Sequence, residues 1–179
     1  MTVDPLKLCA GFWPHVRFTR EQRKIIYSVV ENDETFVPAG NQLGKDFVAA
    51  FIVLWFFLTR KPCRIVTTSA KDDHLRVLWG EIGRFVQECR VPLLAGKGGP
   101  LIANHQEIRR YGSAGELDPI SYIKGMVAAP DRVAAMQGHH ATGPLPIPYT
   151  LFVSDESSGV PDDYFKMATT WAKRLLIIG

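Results

Sequence analysis

Apolar and polar positions along this chain predict helices and strands in alternation from residue 20 onward. Short apolar runs bounded by Gly, Pro or charged residues indicate strands, and longer stretches indicate helices. Thr19 and Gln22 have the spacing of a capping box at the start of the first helix. The predicted helices are Arg20–Glu31, Phe47–Leu58, Ala70–Cys89 and Pro161–Ala172, and the predicted strands are Thr35–Pro38, Arg64–Thr68, Tyr149–Ser154 and Arg174–Ile178.

The last two predicted strands are apolar on both faces. Such strands, alternating with helices, are typical of a central, mostly parallel sheet that helices cover on both sides. Between them and the earlier elements, short alternating segments such as Glu107–Tyr111 and Tyr122–Val127 predict a short antiparallel insertion. Stretches rich in Pro and Gly at Pro92–Pro100 and Gly138–Pro148 predict loops within one domain rather than linkers. The sequence therefore predicts a single three-layer α/β domain over residues 1–179.

Composition narrows the class of protein. Of the 179 residues, 46% are hydrophobic and 22% charged, which excludes a disordered chain, and the net charge of +3 permits a polyanionic partner without requiring one. The three cysteines lie far apart, so we expect free thiols at Cys9, Cys63 and Cys89 rather than a zinc site. Phe47–Leu58 is too short for a membrane span, and the start of the chain has no signal-peptide pattern, which favours the cytoplasm.

A glycine-containing turn between a predicted strand and the apolar helix carries the first candidate chemistry. Its residues are Gly40, Asn41, Gln42, Leu43, Gly44 and Lys45. In this setting main-chain N–H groups and a helix N-terminus bind phosphate, and Lys45 would reach the β and γ phosphates. Two positions depart from the phosphate-loop pattern, since Ala39 replaces the first Gly and Asp46 replaces a Ser or Thr. A simple turn would explain Gly44 but would not require Lys45.

Two adjacent acids, Asp155 and Glu156, end an apolar predicted strand. The carboxyl ends of parallel strands are where α/β sheets present functional groups. Asp155 could hold magnesium through its water shell, and Glu156 could orient the water that attacks a γ-phosphate. The alternative is a solvated acidic turn after a buried strand.

These two motifs together resemble the ATPase domain of tailed-phage terminase large subunits. The resemblance rests on GNQLGKD before an apolar helix and on LFVSDESSGVPDDYF. Weaker matches follow the order of the family's motifs: Phe18–Gln22, with Gln22 as the reader of adenine, Thr67–Ala70, linked to DNA-dependent movement, Gln137–Ala141, and Arg174–Gly179, at the start of the coupling motif.

The resemblance implies a fold, a ligand and partners. The fold is a P-loop NTPase of the ASCE/RecA-like kind, with an additional strand between the phosphate-loop strand and its nearest neighbour. ATP and Mg²⁺ would bind at Gln22 and at Gly40–Asp46, with Asp155 and Asp46 on the metal and with Lys45 and Glu156 catalytic. A ring of copies on the portal protein, with the small terminase subunit, would drive double-stranded DNA into a procapsid in the cytoplasm of an infected bacterium. No nuclease domain is recognised, and the chain reads as a fragment that stops at the coupling motif.

Several assignments stay open at this point. Asn41 or Gln42 stands where many relatives have an arginine finger, so a neighbouring subunit could supply it, and four arginines remain as unranked candidates: Arg60, Arg64, Arg84 and Arg90. Asp46 could ligate magnesium or repel the phosphates. His139 and His140 favour loop structure or DNA contact over a metal, and Lys97 could touch DNA phosphates or lie in a surface turn. A helicase-like translocase and a catalytically impaired DNA-docking module are the rival functions.

Overall fold

The computed structural model describes residues 3–38, 44–112, 115–137, 139 and 147–179. Its helices are α1 (Pro5–Phe12), α2 (Arg20–Glu31), α3 (Lys45–Thr59), α4 (Asp72–Glu88), α5 (Val133–Gln137) and α6 (Asp162–Trp171). Its strands are β1 (Glu34–Val37), β2 (Cys63–Ser69), β3 (Leu101–Asn104), β4 (Glu107–Tyr111), β5 (Leu117–Val127), β6 (Tyr149–Asp155) and β7 (Arg174–Ile178).

The described strands form one seven-stranded sheet in the order β1-β7-β6-β2-β5-β4-β3. The five strands from β1 to β5 in this order run parallel, and β4 and β3 add an antiparallel edge. Because β7 lies between β1 and β6, the predicted additional strand beside the phosphate-loop strand is confirmed. The predicted fold class, an α/β P-loop NTPase fold with a mostly parallel sheet and a short antiparallel part, is confirmed as well.

Helices cover the two faces of the sheet unequally. The larger apolar cluster joins α1–α4 to one face and includes Ile65, Leu151 and Val153, whereas Val66 and Phe152 face α6. Helix α3 is apolar all round because it lies between the sheet and the other helices, and its residues from Val48 to Phe57 are buried. The face of a strand residue can therefore be read from its neighbours, since successive side chains alternate.

Two elements differ from the sequence prediction. Helix α1 was not predicted, although Asp4 caps it by accepting a hydrogen bond of 2.9 Å from the Lys7 N–H and Pro5 occupies its first turn. Strand β5 is longer than the predicted Tyr122–Val127, and it is not simply antiparallel, because it also pairs in parallel with β2. Within the described residues, no helix is long and apolar enough to cross a membrane.

Candidate functional site

The carboxyl ends of β1, β7, β6 and β2 meet at one edge of the sheet, and α3 begins at that edge. Parallel pairing sets Ser69 of β2 opposite Asp155 of β6 and Val37 of β1 opposite Ile178 of β7. Asp155 shares a face with Val153, which packs against the helical layer that contains α3. The two predicted motifs, far apart in sequence, therefore belong to one region of the molecule.

The start of α3 places Lys45 in this region. Gly44 precedes the helix with φ +61°, a left-handed conformation that favours glycine. The Lys45 ammonium donates a hydrogen bond of 2.6 Å to the main-chain oxygen of Gly179, just after β7, and the Gly179 N–H donates one of 2.9 Å to the Val37 oxygen. The predicted phosphate-binding residues Gly40, Asn41, Gln42 and Leu43 lie outside the described residues.

Asp155 is a buried acid among other acids. Only 4% of its surface is exposed. Burial raises the pKa of Asp155 to about 6, the negative charges of Asp46 and Glu156 raise it further, and the positive charge of Lys45 opposes them. The side chains of Lys45, Asp46, Asp155 and Glu156 are thus near enough to act on one another.

The charges at this edge suit a cation bound with an anionic ligand. Among the residues the structure describes, no group of three or more His, Cys, Asp or Glu side chains could enclose a metal. A divalent ion here would depend on one or two carboxylates plus water and ligand oxygens, which is how proteins hold Mg²⁺ on bound phosphates.

Glu156 follows Asp155 in a left-handed conformation, with φ 51° and ψ 53°, and precedes the short 3₁₀ turn Ser157–Gly159. Such a conformation is uncommon for residues other than glycine and costs free energy. It turns the chain sharply at the end of β6, so Glu156 leaves the strand pattern and stays half-buried. The alternative of a freely solvated acidic turn does not describe Asp155, which is buried.

Gln22 takes part in the predicted capping box. Its side-chain oxygen accepts a 3.0 Å hydrogen bond from the Thr19 N–H, while its own N–H donates to the Thr19 hydroxyl. The side chain also lies against the start of α3, since a Cβ on Gly44 would come within 2.9 Å of the Gln22 Nε2 atom. Gln22 therefore caps α2 and borders the phosphate-loop segment at the same time.

The four candidate arginines occupy different environments. Arg64 begins β2, roughly 17 Å along the strand from Ser69, and donates to the main-chain oxygens of Ile120 and His139. Arg60 precedes that strand and stacks on Trp55 and Phe56. Neither lies at the edge where β6 ends.

The other two arginines belong to the end of α4. The Arg84 guanidinium lies 5.3 Å from the centre of the Phe47 ring, in the first turn of α3. Arg90, just past the helix, is exposed and donates its N–H to the Phe12 oxygen. Of the four, Arg84 is the one whose charge lies beside the start of α3.

His139 is part of the packing. It is 7% exposed, its Nδ1 atom lies 2.5 Å from the Tyr122 hydroxyl, and its ring packs near Trp171. Burial lowers the pKa of His139 to about 4, and the positive charges of Lys124 and Arg64 lower it further. These contacts support the loop-structure interpretation for His139, and His140 lies outside the described residues.

Two further predictions concern exposed or remote positions. Lys97 is exposed and ends the 3₁₀ turn Ala95–Lys97, as a surface turn predicts. All three cysteines are free, and Cys9 and Cys63 are buried. A cavity of about 310 Å³ lies away from the acids, between α4 and the turn that joins β3 to β4.

Two serine hydroxyls at the sheet edge were not singled out by the sequence. The side chains of Ser69 and Ser154 are fully buried, and within the described structure neither hydroxyl has a hydrogen-bond partner. Their neighbours are satisfied, because the Thr68 hydroxyl donates to the Met126 oxygen and the Thr67 hydroxyl accepts from Trp79. A strand ending in several hydroxyl residues was the only available signal, and it does not tell which hydroxyl lacks a partner.

The fold is similar to those of solved phage large terminases. The ATPase domain of the Thermus phage P74-26 large terminase matches with a TM-score of 0.60 and 15% identity, covering 99% of this chain and 69% of that one. The bacteriophage HK97 large terminase matches with a TM-score of 0.62 and 16% identity, covering 99% and 37%. The large terminase of another thermophilic bacteriophage, solved in complex with ADP, matches with a TM-score of 0.59 and 14% identity, covering 90% and 38%.

At the level of sequence, no protein-family model and no curated protein matches this chain. The chain spans less than two fifths of the HK97 terminase and of the terminase solved with ADP, and it shares their architecture far more than their sequences. On the sheet order and these structural matches, the chain has the P-loop NTPase fold of phage large terminase ATPase domains.

Proposed function

We propose that this chain is the ATPase part of a phage DNA-packaging motor, which binds ATP at the sheet edge between β1 and β6 and hydrolyses it. The observation that carries the proposal is the meeting of Lys45 and Asp46, at the start of α3, with Asp155 and Glu156, at the end of β6. The likeness to terminase ATPase domains, one of them from a terminase solved with ADP, supports the same site.

Each residue has a role that its position supports. The turn from Gly40 to Gly44 would offer main-chain N–H groups to the phosphates. Lys45 would exchange its hydrogen bond with Gly179 for one with a phosphate oxygen. Gln22, beside Gly44, would contact the adenine.

Two carboxylates would hold the magnesium ion that accompanies the nucleotide. Asp155 supplies a buried oxygen ligand or a hydrogen bond to metal-bound water, and Asp46 supplies a second carboxylate. The ion would neutralise charge on the phosphates. Its positive charge would also remove the repulsion that now raises the pKa of Asp155.

Glu156 would orient the attacking water and accept its proton. The sharp turn at Glu156 separates its side chain from the Asp155 position in the strand, so one acid can serve the metal and the other the water. Hydrolysis would return Lys45 to Gly179, and the end of β7 would follow the nucleotide state. In an assembled ring with portal protein and small subunit, that movement would act on double-stranded DNA.

The proposal is tested by replacing Glu156→Gln. We expect the rate of ATP hydrolysis to fall by about 100-fold or more, because the base that activates water is lost, while nucleotide binding remains. Phosphate release and binding of the analogue AMP-PNP would be measured side by side. Glu34→Gln, at the opposite end of β1 and exposed, is the matched control and should keep both activities. Unchanged hydrolysis in Glu156→Gln would contradict the assignment.

A further inference from the structure

The Ser69 hydroxyl stands beside Asp155 with nothing to bind in the described structure. Ser69 ends β2 and pairs in register with Asp155 across the β2–β6 ladder, so the two Cα atoms are about 5 Å apart. Both side chains point to the same face, because Ile65 and Thr67 on β2 and Val153 on β6 precede them on the α3 and α4 side. The two polar groups are thus neighbours at the sheet edge.

Burial makes the missing partner significant. Ser69 has no exposed surface, and its hydroxyl is among the buried atoms that make no hydrogen bond in the part of the chain described. Buried hydroxyls are nearly always paired, and one that is not calls for a ligand, a water or an ion to explain it. Asp155 does not provide the partner, even though it is adjacent in the sheet.

The phosphate-loop segment lacks a hydroxyl that such sites normally use. Position 46, where a Ser or Thr would meet magnesium, is Asp46. Asp46 raises the pKa of Asp155 through its charge, so it lies near the same point from the α3 side. A hydroxyl is therefore missing at the start of α3, and a hydroxyl without a partner among the described residues is present on β2.

We infer that Ser69 is a positioning residue of the nucleotide site, whose hydroxyl, together with the Asp155 carboxylate, holds a water of the nucleotide-bound magnesium ion. This inference rests on the proposed function and assigns to β2 a contact that the phosphate loop ordinarily makes. Hydroxyl and carboxylate oxygens are the hard donors that hydrated Mg²⁺ accepts. Ser69 would then gain its missing partner only when the nucleotide and its metal are bound.

Ser154 provides a matched control within the same sheet edge. Its hydroxyl is equally buried and equally without a partner among the described residues. It lies one position before Asp155, and so on the opposite face, in register with Thr68. Ser154→Ala removes the same atom as Ser69→Ala but on the α6 side.

The experiment measures AMP-PNP binding by calorimetry with and without Mg²⁺, together with thermal unfolding of the nucleotide-free proteins. We expect Ser69→Ala to lose about tenfold of the Mg²⁺-dependent gain in affinity and to bind normally without Mg²⁺. Ser154→Ala should bind as the wild type does under both conditions. Without nucleotide, both variants should melt at or slightly above the wild-type temperature, because each loses a buried hydroxyl that has no partner in the described structure.

The outcomes separate the inference from the proposed function. If the wild type binds AMP-PNP with a Mg²⁺-dependent gain and Ser69→Ala keeps that gain, the inference is wrong and the proposed function stands. If Ser69→Ala lowers the melting temperature of the nucleotide-free protein while Ser154→Ala does not, the hydroxyl has a structural role and the inference is overturned. If the wild type binds no AMP-PNP, both proposals fall together.

Discussion

Asp155 shows what a functional carboxylate costs a small domain. It is buried at the end of β6, and Asp46 and Glu156 add repulsion to the loss of hydration. Lys45 is the nearby cation that opposes these effects, yet its hydrogen bond is to the Gly179 oxygen. A buried acid whose charge is disfavoured without a ligand is typical of functional sites, where stability is given up for binding or catalysis.

His139 gives the protein a predictable dependence on acid. Its pKa of about 4 in the folded chain is lower than the ordinary value of 6.5, because it is buried and faces Arg64 and Lys124. The unfolded chain therefore takes up the proton first, and stability from His139 is complete above pH 6.5 and is lost as the pH falls toward 4. Between pH 7 and pH 4.5 we expect a loss of about 2 to 3 kcal/mol from this residue, measured by urea unfolding.

The control for this prediction is His139→Gln, which cannot titrate in that range. The variant will be less stable than the wild type at pH 7, since the contact with Tyr122 and the ring packing are altered. Its own stability should fall less steeply with acid. Equal slopes in the two proteins would contradict the buried, neutral state of His139.

At the level of single residues, the sequence predicted the groups that carry a motif and missed those defined by packing. Lys45 and Asp155 follow from spacing between strands and helices. The state of Ser69 does not, because a missing hydrogen bond depends on every neighbour in three dimensions. The contact of Lys45 with Gly179 joins residues 134 positions apart and has no local signal.

The turn after β6 and the turn after β2 touch through Gly159 and Ala70. A Cβ on Gly159 would lie 2.7 Å from the Ala70 Cβ, which is fixed to its own backbone and cannot rotate away. We expect Gly159→Ala to destabilise the protein by about 1 to 3 kcal/mol, because the two turns must move apart. Urea unfolding of the nucleotide-free protein measures this.

Gly80 in α4 is the matched control, since a Cβ there meets nothing within 4 Å. Gly80→Ala should raise stability by about 0.5 to 1 kcal/mol, as alanine favours a helix interior. Equal effects of the two substitutions would show that the turns are not in close contact.

Local patterns predicted most elements and left out those with weak or mixed signals. The strand Arg174–Ile178 has the predicted bounds, and α2 begins and ends where its capping box and polar face indicate. Strand β5 was predicted in part, because Asp118 and Pro119 interrupt the alternation in its first half. Helix α1 is short and precedes the first clear amphipathic stretch, so its capping residue was the only marker.

For the molecule as a whole, strand order came from resemblance rather than from periodicity. Apolar strands alternating with helices predict a parallel sheet, but nothing in them places β7 between β1 and β6. That placement has a consequence for function. The end of β7 lies between the phosphate-loop segment and the acids, so Gly179 is within reach of Lys45.

The most direct test of the account is AMP-PNP binding to the wild type and to Lys45→Ala, measured by calorimetry with and without Mg²⁺. Lys97→Ala, which alters an exposed lysine in a surface turn, is the control. We expect Mg²⁺-dependent binding in the wild type and in Lys97→Ala, and a loss of at least about tenfold in Lys45→Ala, because a charged hydrogen bond to phosphate is removed. No binding by the wild type at millimolar AMP-PNP, or equal binding by Lys45→Ala, would contradict a nucleotide site at this edge of the sheet.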